Sequence, residues 1–324
     1  MADKDTITKQ YMQDNEAFAD VFNFLLYNGE QIIKPEQLKP LDTAAVAIPY
    51  GEDNRSTSVQ KHRDILKILT VKEDDKATYM LLGIENQSDI HYAMPVRNML
   101  YVAIQYASQV DETAKFHKRN GSKPVSDAEF LSGFYKTDKI HPVVTLTLYF
   151  GPDDWDAPRT LHEMLSGDNN NLMRFIPDYK LNLIAPAEIM DEDFSRFHTE
   201  LSAALKYVKY SKDKAKLNEI LQTDEAYKRV SRKTADMINV VTKSGLHYHE
   251  GEERVDMCKA IEEMRNDAIE YGKTEGIKEG IKEGTANGII MTLVGLVKEG
   301  ILSVADGAKR ANMSVEDFTA KLNM

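Results

Sequence analysis

The sequence predicts an α/β fold over residues 1–180, followed by an α-helical region that reaches the C-terminus. Two observations carry this prediction. Three apolar runs of strand length, at 63–71, 79–87 and 140–150, come after a strongly amphipathic helical stretch at the N-terminal end. From residue 191 onward, the apolar residues keep helical spacing instead.

The composition fits an ordinary globular protein of 324 residues, for which two domains are the natural expectation. A net charge of −11 argues against a broadly basic nucleic-acid surface, although a metal and a local basic patch could still meet a phosphate. The one cysteine, Cys258, excludes an internal disulfide and a cysteine-based zinc cluster. With a polar N-terminus and no apolar run near ~18 residues, we expect a cytoplasmic protein with no membrane partner.

The first element is a helix over residues 14–28. Asp14 or Asn15 can cap its N-terminus, and Gly29 can end it. Its buried stripe is apolar at helical spacing: Phe18, Val21, Phe22, Leu25 and Leu26. The neighbouring stripe is acidic and includes Glu16 and Asp20, so a solvated helix face is one interpretation of these two residues.

The first two strand-like runs are joined by a polar turn, which predicts a hairpin. A tip at Asp74-Asp75 would place Asp64 directly opposite Glu85, with Cβ atoms roughly 4.5–5.5 Å apart. Carboxylates so close repel each other unless a cation lies between them, and Mg²⁺ prefers such oxygen ligands. Gln87 points the same way as Glu85, because strand side chains alternate. A register slip of one residue, or a helix around Asp64, is the alternative.

Positive charge surrounds Asp64 in the sequence, from Lys61, Arg63 and Lys67. These side chains could hold a DNA backbone, which is a contact blind to base sequence. The alternative is a basic strand edge that discourages aggregation.

A helix is predicted over residues 93–110, with Pro95 in its first turn. Arg97 lies in the same turn, where the positive helix end and a guanidinium with paired donors both favour a phosphate. A structural ion pair is the alternative role for Arg97. The expected core face of this helix consists of Val96, Met99, Leu100, Ala103 and Ala107.

A longer pattern unites these segments: Asp64, then Gly83-Ile84-Glu85-Asn86-Gln87-Ser88, then Met94-Pro95-Val96-Arg97 and Tyr101. This order resembles the recombination-promoting nuclease / putative transposase family of the PD-(D/E)XK nuclease superfamily. The resemblance implies a restriction-endonuclease-like mixed sheet with flanking helices. It also implies that Asp64 and Glu85 bind Mg²⁺ or Mn²⁺ for cleavage of DNA.

The resemblance extends to individual roles. It makes Asp20 the candidate acid that the first helix lends to the metal, with Glu16 second. Gln87 replaces the lysine of the superfamily, as is typical of this family, and would orient the attacking water or the phosphate. Arg97 would stabilise charge on the phosphate. The implied function is a bacterial DNA endonuclease linked to recombination, mobile elements or phage defence.

Two rival functions remain open at this point. The acidic net charge and the missing lysine favour a non-catalytic interaction protein that keeps the nuclease fold. A DNA-binding regulator that uses the C-terminal helices is the other alternative.

The rest of the chain completes the predicted organisation. The Val- and Thr-rich run at 140–150 predicts a buried strand, and 181–185 predicts an edge strand. We therefore expect a nuclease core at 1–180, a helical extension at 181–270, a glycine-repeat helix or linker at 271–290 and a small helical hairpin at 291–324.

Glycines recur every fourth residue near the C-terminus, at Gly272, Gly276, Gly280, Gly284 and Gly288. Each helical Gly costs ~1 kcal/mol relative to Ala. The segment is therefore either a mobile linker or a helix that another helix approaches closely, which would form a homodimer through the C-terminal helices. Beyond it, Ser303 and Ser314 predict the caps of two short helices that resemble a helix-turn-helix. Few basic side chains follow, which favours a protein contact.

Overall fold

The computed structural model describes residues 4–41, 44–47, 59–62, 65–73, 76–167, 170–249 and 251–323. The chain divides into two compact units, Met1–Ala260 and Ile261–Met324. The first unit has a mixed α/β fold and the second is helical, so the predicted α/β class with a helical C-terminal region is confirmed.

The described strands are β1 (Leu38–Pro40), β2 (Ala44–Ala47), β3 (Val59–His62), β4 (Ile65–Glu73), β5 (Lys76–Gln87), β6 (Val143–Tyr149), β7 (Leu183–Ile184), β8 (Val230–Ser231) and β9 (Arg254–Val255). Five of them form the central sheet in the order β1-β4-β5-β6-β7. The pairs β1–β4 and β4–β5 are antiparallel, whereas β5–β6 and β6–β7 are parallel. The sheet is therefore mixed. The other strands form two antiparallel pairs, β2–β3 and β8–β9.

The β4–β5 hairpin has the predicted register. Glu73 pairs with Lys76 and Ile65 pairs with Ile84, which is the alignment that a tip at positions 74–75 produces. On its other side, β5 pairs with β6, so that position 85 is the partner of Thr147. The far ends of β5 and β6 therefore lie side by side.

The described helices are α1 (Lys4–Met12), α2 (Asn15–Tyr27), α3 (Met94–Arg119), α4 (Asp127–Ser132), α5 (Asn170–Met173), α6 (Leu201–Tyr210), α7 (Lys214–Thr223), α8 (Arg232–Thr242), α9 (Met257–Lys298), α10 (Val304–Arg310) and α11 (Val315–Leu322). Helix α2 has the predicted ends. The Asp14 carboxylate accepts the N–H of Glu16, and the chain leaves the helix through left-handed Asn28 and Gly29. Helix α1, which precedes it, was not predicted. None of the helices within the described residues is both long and apolar enough to cross a bilayer.

Helices α2 and α3 cover opposite faces of the central sheet. The Nζ of Lys67 in β4 lies 4.5 Å from the centre of the Phe18 ring of α2. The Nδ2 of Asn98 in α3 donates to the Oγ1 of Thr147 in β6 at 2.8 Å. The strand register puts Lys67 and Thr147 on opposite faces, so the sheet is sandwiched between the two helices.

The predicted core face of α3 was wrong. Its buried residues are Met94, Pro95, Asn98, Tyr101 and Ile104, whereas Val96 is 40% exposed. Polar side chains can occupy the buried face here because they find partners, as Asn98 does on Thr147. The spacing of apolar residues alone therefore predicted the wrong buried face for α3.

The second unit has a small core of its own, formed by Leu293, Ala308 and Phe318 from three successive helices. Ser303 and Ser314 cap α10 and α11 as predicted, each accepting a backbone N–H three residues on. Helix α9 continues through all five repeated glycines.

Candidate functional site

A cavity of about 220 Å³ opens where β5 ends. It is lined by Asp5, Asn86, Gln87, Ser88, Asp89, Ile90, His91 and Arg97. Six of these residues come from the end of β5 and the loop that follows, one from α1 and one from the first turn of α3. The structure thus brings together Gln87 and Arg97, two side chains that the sequence predicted to act at one site.

Arg97 is held at the cavity by the way α3 begins. Its neighbour Asn98 is 1% exposed and is bonded to Thr147, which is fully buried beside position 85. This bond fixes the first turn of α3 against the sheet. The Nε of Arg97 also donates to the hydroxyl of Tyr101 at 3.3 Å, and its guanidinium lies 5.9 Å from the centre of that ring. The Arg97 side chain is therefore positioned from two directions.

Asp5 contributes a carboxylate from α1, a helix that the sequence did not predict. The Oγ of Ser88 donates to Asp5 Oδ1 at 3.0 Å, which ties the start of α1 to the loop after β5. Farther along α1, the hydroxyl of Tyr11 accepts a hydrogen bond of 3.2 Å from Thr234. Burial raises the pKa of Tyr11, so this phenol stays neutral. The position of Asp5 thus depends on long-range contacts with α8.

Tyr149 lies on β6 beside the end of β5, although it does not line the cavity itself. It is the register partner of Gln87, and its ring lies edge-on to Trp155 with the centres 5.4 Å apart. Burial raises the pKa of Tyr149, and the carboxylates of Asp153 and Asp89 raise it further. Asp89 is therefore a second acid near this edge, and it immediately follows the sequence motif.

Asp20 and Glu16 do not line the described part of the cavity. Asp20 is 1% exposed, and its carboxylate accepts the N–H of His198 and both the N–H and the hydroxyl of Thr199, at 2.6–3.0 Å. Its oxygens are thus engaged by a loop of the chain itself. Glu16 is exposed on the first turn of α2. The acid that a first helix lends to this cavity is Asp5 instead.

Lys67 is also placed differently from the prediction of a DNA contact. It is 2% exposed, and its ammonium donates to the carbonyl of Gln13 and to Oδ1 of Asn15, both at 2.7 Å. Burial lowers the pKa of Lys67 to about 8. The Asp14 carboxylate raises this pKa, whereas the ammonium of Lys233 lowers it further. A buried ammonium cannot reach a phosphate, so Lys67 is removed from the DNA-binding set.

The remaining predicted residues lie wholly or partly outside the described residues. Asp64 and Arg63 lie outside them entirely. Glu85 and Lys61 lie within β5 and β3, but their side chains are outside the described part.

The donor chemistry of the cavity fits a hard cation. Asp5, Asp89 and Gln87 offer carboxylate and amide oxygens, which Mg²⁺ and Mn²⁺ accept. Among the described residues, no three His, Cys, Asp or Glu side chains converge closely enough to hold a metal ion. The described donors are therefore of the right kind but need further acids to complete a site.

Comparison with known proteins identifies one family. The model of a family described as "Putative transposase, YhgA-like" matches residues 3–236, from the start of α1 into α8. The resemblance read from the motif is thereby confirmed. No curated protein matches the chain, and neither does any solved structure.

Proposed function

This chain belongs to the YhgA-like putative transposase family, and from that membership we propose that it is a metal-dependent DNA endonuclease. It would hydrolyse phosphodiester bonds in the bacterial cytoplasm, in recombination or in the movement of genetic elements. The observation that carries the proposal is the cavity at the end of β5, which Gln87 and Arg97 line together with Asp5 and Asp89. The mixed sheet, with α3 linking its parallel strands β5 and β6, supports a restriction-endonuclease-like core.

Asp64 and Glu85 are the proposed metal ligands, with Asp5 as the assisting acid in place of Asp20. The register of the hairpin supports this choice, since Ile65 already pairs with Ile84. We propose that this pairing continues by one residue, which sets position 64 opposite position 85. Asp5 reaches the same cavity from α1. A bound Mg²⁺ or Mn²⁺ would polarise a phosphoryl oxygen and lower the pKa of its water.

The other residues bind and orient the substrate. Gln87 would hold the attacking water or a phosphate oxygen through its amide, which cannot act as a base at neutral pH. Arg97, steadied by Tyr101, would donate to the phosphate as charge develops on it. The N-terminal ends of α1 and α3 both lie at the cavity and favour an anion there.

A nuclease-fold protein with little or no activity is the second candidate. One observation favours it specifically: the lysine next to the site in sequence, Lys67, faces α2 on the other side of the sheet. Lys67 therefore cannot take over the role of the superfamily lysine, whose position is occupied here by Gln87. In that case the cavity would bind phosphate without cleaving it.

Nicking of a supercoiled plasmid in the presence of Mg²⁺ tests the proposal. We expect the parent chain to nick the plasmid, and we expect Asp64→Ala and Glu85→Ala to abolish nicking. Glu112→Ala removes an exposed acid from the C-terminal half of α3, away from the cavity, and serves as the matched control. Equal nicking by the parent and both site variants would reject the assignment. Calorimetric binding of Mg²⁺ without nicking would favour the second candidate.

We also propose a homodimer through α9. A Cβ added at any of the five repeated glycines would meet no described atom within 4 Å, so nothing in this part of the chain offsets their helical cost. The adjacent row contains Ile277 and Ile281, which are 62% and 64% exposed. A row of glycines beside a row of isoleucines is a groove beside a ridge, and two copies can interlock through such rows.

A further inference from the structure

A lobe at the far end of α3 has a charge opposite to that of the whole protein. It comprises residues 115–139, namely the end of α3, α4 and the loops on either side of α4, and we call it the basic lobe. Its six Lys and Arg residues are all exposed: Lys115, Lys118, Arg119, Lys123, Lys136 and Lys139. Against three acids, these give the basic lobe a net charge of +3, in a chain whose net charge is −11.

Two of the three acids of the basic lobe are engaged by the lobe itself. Glu129 is 8% exposed, and its oxygens accept the N–H groups of Val125 and Lys136 at 2.8 and 3.1 Å. Asp138 accepts the N–H of Tyr135 at 2.6 Å and lies 2.8 Å from Nε2 of His117. Burial raises the pKa of Asp138, but these two partners outweigh it and lower the pKa overall. Lys115 is paired with Asp111, which lies just before the basic lobe, at 2.6 Å. The outward positive charge therefore comes from the other five basic residues of the lobe.

The basic lobe also exposes four large apolar side chains to solvent. Val125 and Leu131 are each 89% exposed, Phe130 is 78% exposed and Phe116 is 60% exposed. Scattered exposed apolar residues need no explanation, but four within one short segment point to a contact surface. Because these apolar side chains lie among lysines and arginines, the surface can bind a ligand that has both anionic groups and apolar surface, such as a nucleic acid.

The basic lobe is preorganised. The rings of His117 and Tyr135 stack with centres 3.8 Å apart, and the Tyr135 hydroxyl donates to the carbonyl of Ser122 at 3.0 Å. Gly133 adopts φ +67°, and a Cβ there would lie 2.9 Å from the Cβ of Ala114. The loop after α4 therefore packs closely on α3, and little ordering would be needed on binding.

The distance from the basic lobe to the cavity matches the geometry of DNA. Arg97 and Arg119 stand at the two ends of one helix, about 33 Å apart at 1.5 Å per residue. One turn of B-DNA spans about 34–36 Å. A duplex held at the cavity could therefore present phosphates to the basic lobe one turn away.

We propose that the basic lobe is a second contact for double-stranded DNA, about one helical turn from the bond held at the cavity. Its lysines and arginines neutralise backbone phosphates, and Phe130 and Leu131 pack against sugars or bases in the groove. This proposal rests on the proposed function, because it takes DNA as the ligand of the cavity.

Fluorescence anisotropy with the full chain in EDTA tests the proposal without cleavage. The probe duplexes are 30 and 8 base pairs long, since the short duplex spans only about 27 Å at 3.4 Å per base pair and cannot reach from the cavity to the basic lobe. The test variant is Lys118→Ala/Arg119→Ala/Lys123→Ala. The matched control, Lys212→Ala/Lys214→Ala/Lys228→Ala, removes three exposed lysines from α7 and the segments on either side of it in the same unit.

We expect the test variant to bind the 30-base-pair duplex at least about tenfold more weakly at 0.1 M salt. Its slope of log affinity against log salt should fall by about 2 to 3, because each neutralised phosphate contributes about 0.9. The control variant should match the parent. Phe130→Ser should weaken binding of the long duplex with an unchanged salt slope, since it removes an apolar contact and no charge.

Several results would overturn the proposal. If the test variant and the control weaken binding equally, the effect is one of net charge and not of the basic lobe. If the parent sediments with anionic phospholipid vesicles and only that binding is lost in the test variant, the basic lobe meets a membrane. If the parent binds no duplex, both this proposal and the proposed function fail. Lobe-dependent binding without plasmid nicking would support the basic lobe and reject the nuclease.

Discussion

Replacement of the buried Lys67 by methionine should change how the stability of the first unit depends on pH. The folded pKa of Lys67 is lowered from 10.5 to about 8 by burial, which Asp14 partly opposes and Lys233 reinforces. This difference corresponds to about 3 kcal/mol. Methionine has a similar length and carries no proton, so Lys67→Met removes this titration. The Gln13 carbonyl that loses its donor belongs to an exposed residue and can bind water.

The sign follows from proton linkage. Between about pH 8 and about pH 10.5, the unfolded chain keeps the proton on Lys67 that the folded chain has already released. Because the unfolded state then binds more protons, the stability of the parent rises with pH in this window. The free energy of unfolding of the parent, minus that of Lys67→Met, should therefore increase by about 3 kcal/mol from about pH 7 to about pH 11.

Urea denaturation followed by tryptophan fluorescence measures this difference. Trp155 is the only tryptophan and is 4% exposed, so its emission reports the unfolding of the first unit. Lys39→Met, on the neighbouring strand β1, removes an exposed lysine. Its free energy of unfolding should differ from that of the parent by the same amount at every pH. If the curves of Lys67→Met and the parent are also parallel, the Lys67 ammonium is not buried as described.

Three further predictions concern other parts of the chain. Asp20→Asn should destabilise the first unit by about 3 kcal/mol in the Trp155 assay, because a buried carboxylate loses charge-assisted bonds, and an unchanged midpoint would contradict its structural role. Gly280→Leu should shift the chain towards monomer in sedimentation equilibrium although it improves helix propensity, and an unaltered dimer would exclude the glycine row as the contact. Gly307→Ala should destabilise the second unit by about 1–3 kcal/mol, since its Cβ would meet the Phe318 ring at 2.8 Å. Faster hydrogen exchange in α10 and α11 would reveal this loss, and unchanged protection would refute it.

Local patterns in the sequence were sufficient for several elements. The residues that cap α2, and Ser303 and Ser314, which cap α10 and α11, lie at the positions that the residue types predicted. The hairpin register also followed from sequence, because the polar turn and the alternation of side chains specify it within some twenty residues. These features depend on neighbours in the chain, which the sequence shows directly.

The composition of the cavity was predicted only in part. Gln87 and Arg97 share a motif of a dozen residues, so their proximity could be inferred. Asp89 and His91 lie between the two parts of that motif and could have been found by including the whole loop after β5. Asp5 carries a weaker signal, since α1 has few apolar residues and lies more than eighty positions before Ser88, its partner. Nothing in its own segment marks it as part of a site.

The sequence by itself determined the three long strands of the sheet, the register of the β4–β5 hairpin, the caps of α2, α10 and α11, and the family, because each of these is set by residues close together in the chain. It did not determine the C-terminal end of α3, which was expected at residue 110 and lies at Arg119. Only the tertiary structure decided that Asp5 and not Asp20 lines the cavity, and that Lys67 is buried. Asp20 finds its donors 178 and 179 residues away, and Lys67 finds its partners more than fifty residues away. A charged side chain goes wherever its desolvation is compensated, and the compensating groups are assembled only when distant elements pack.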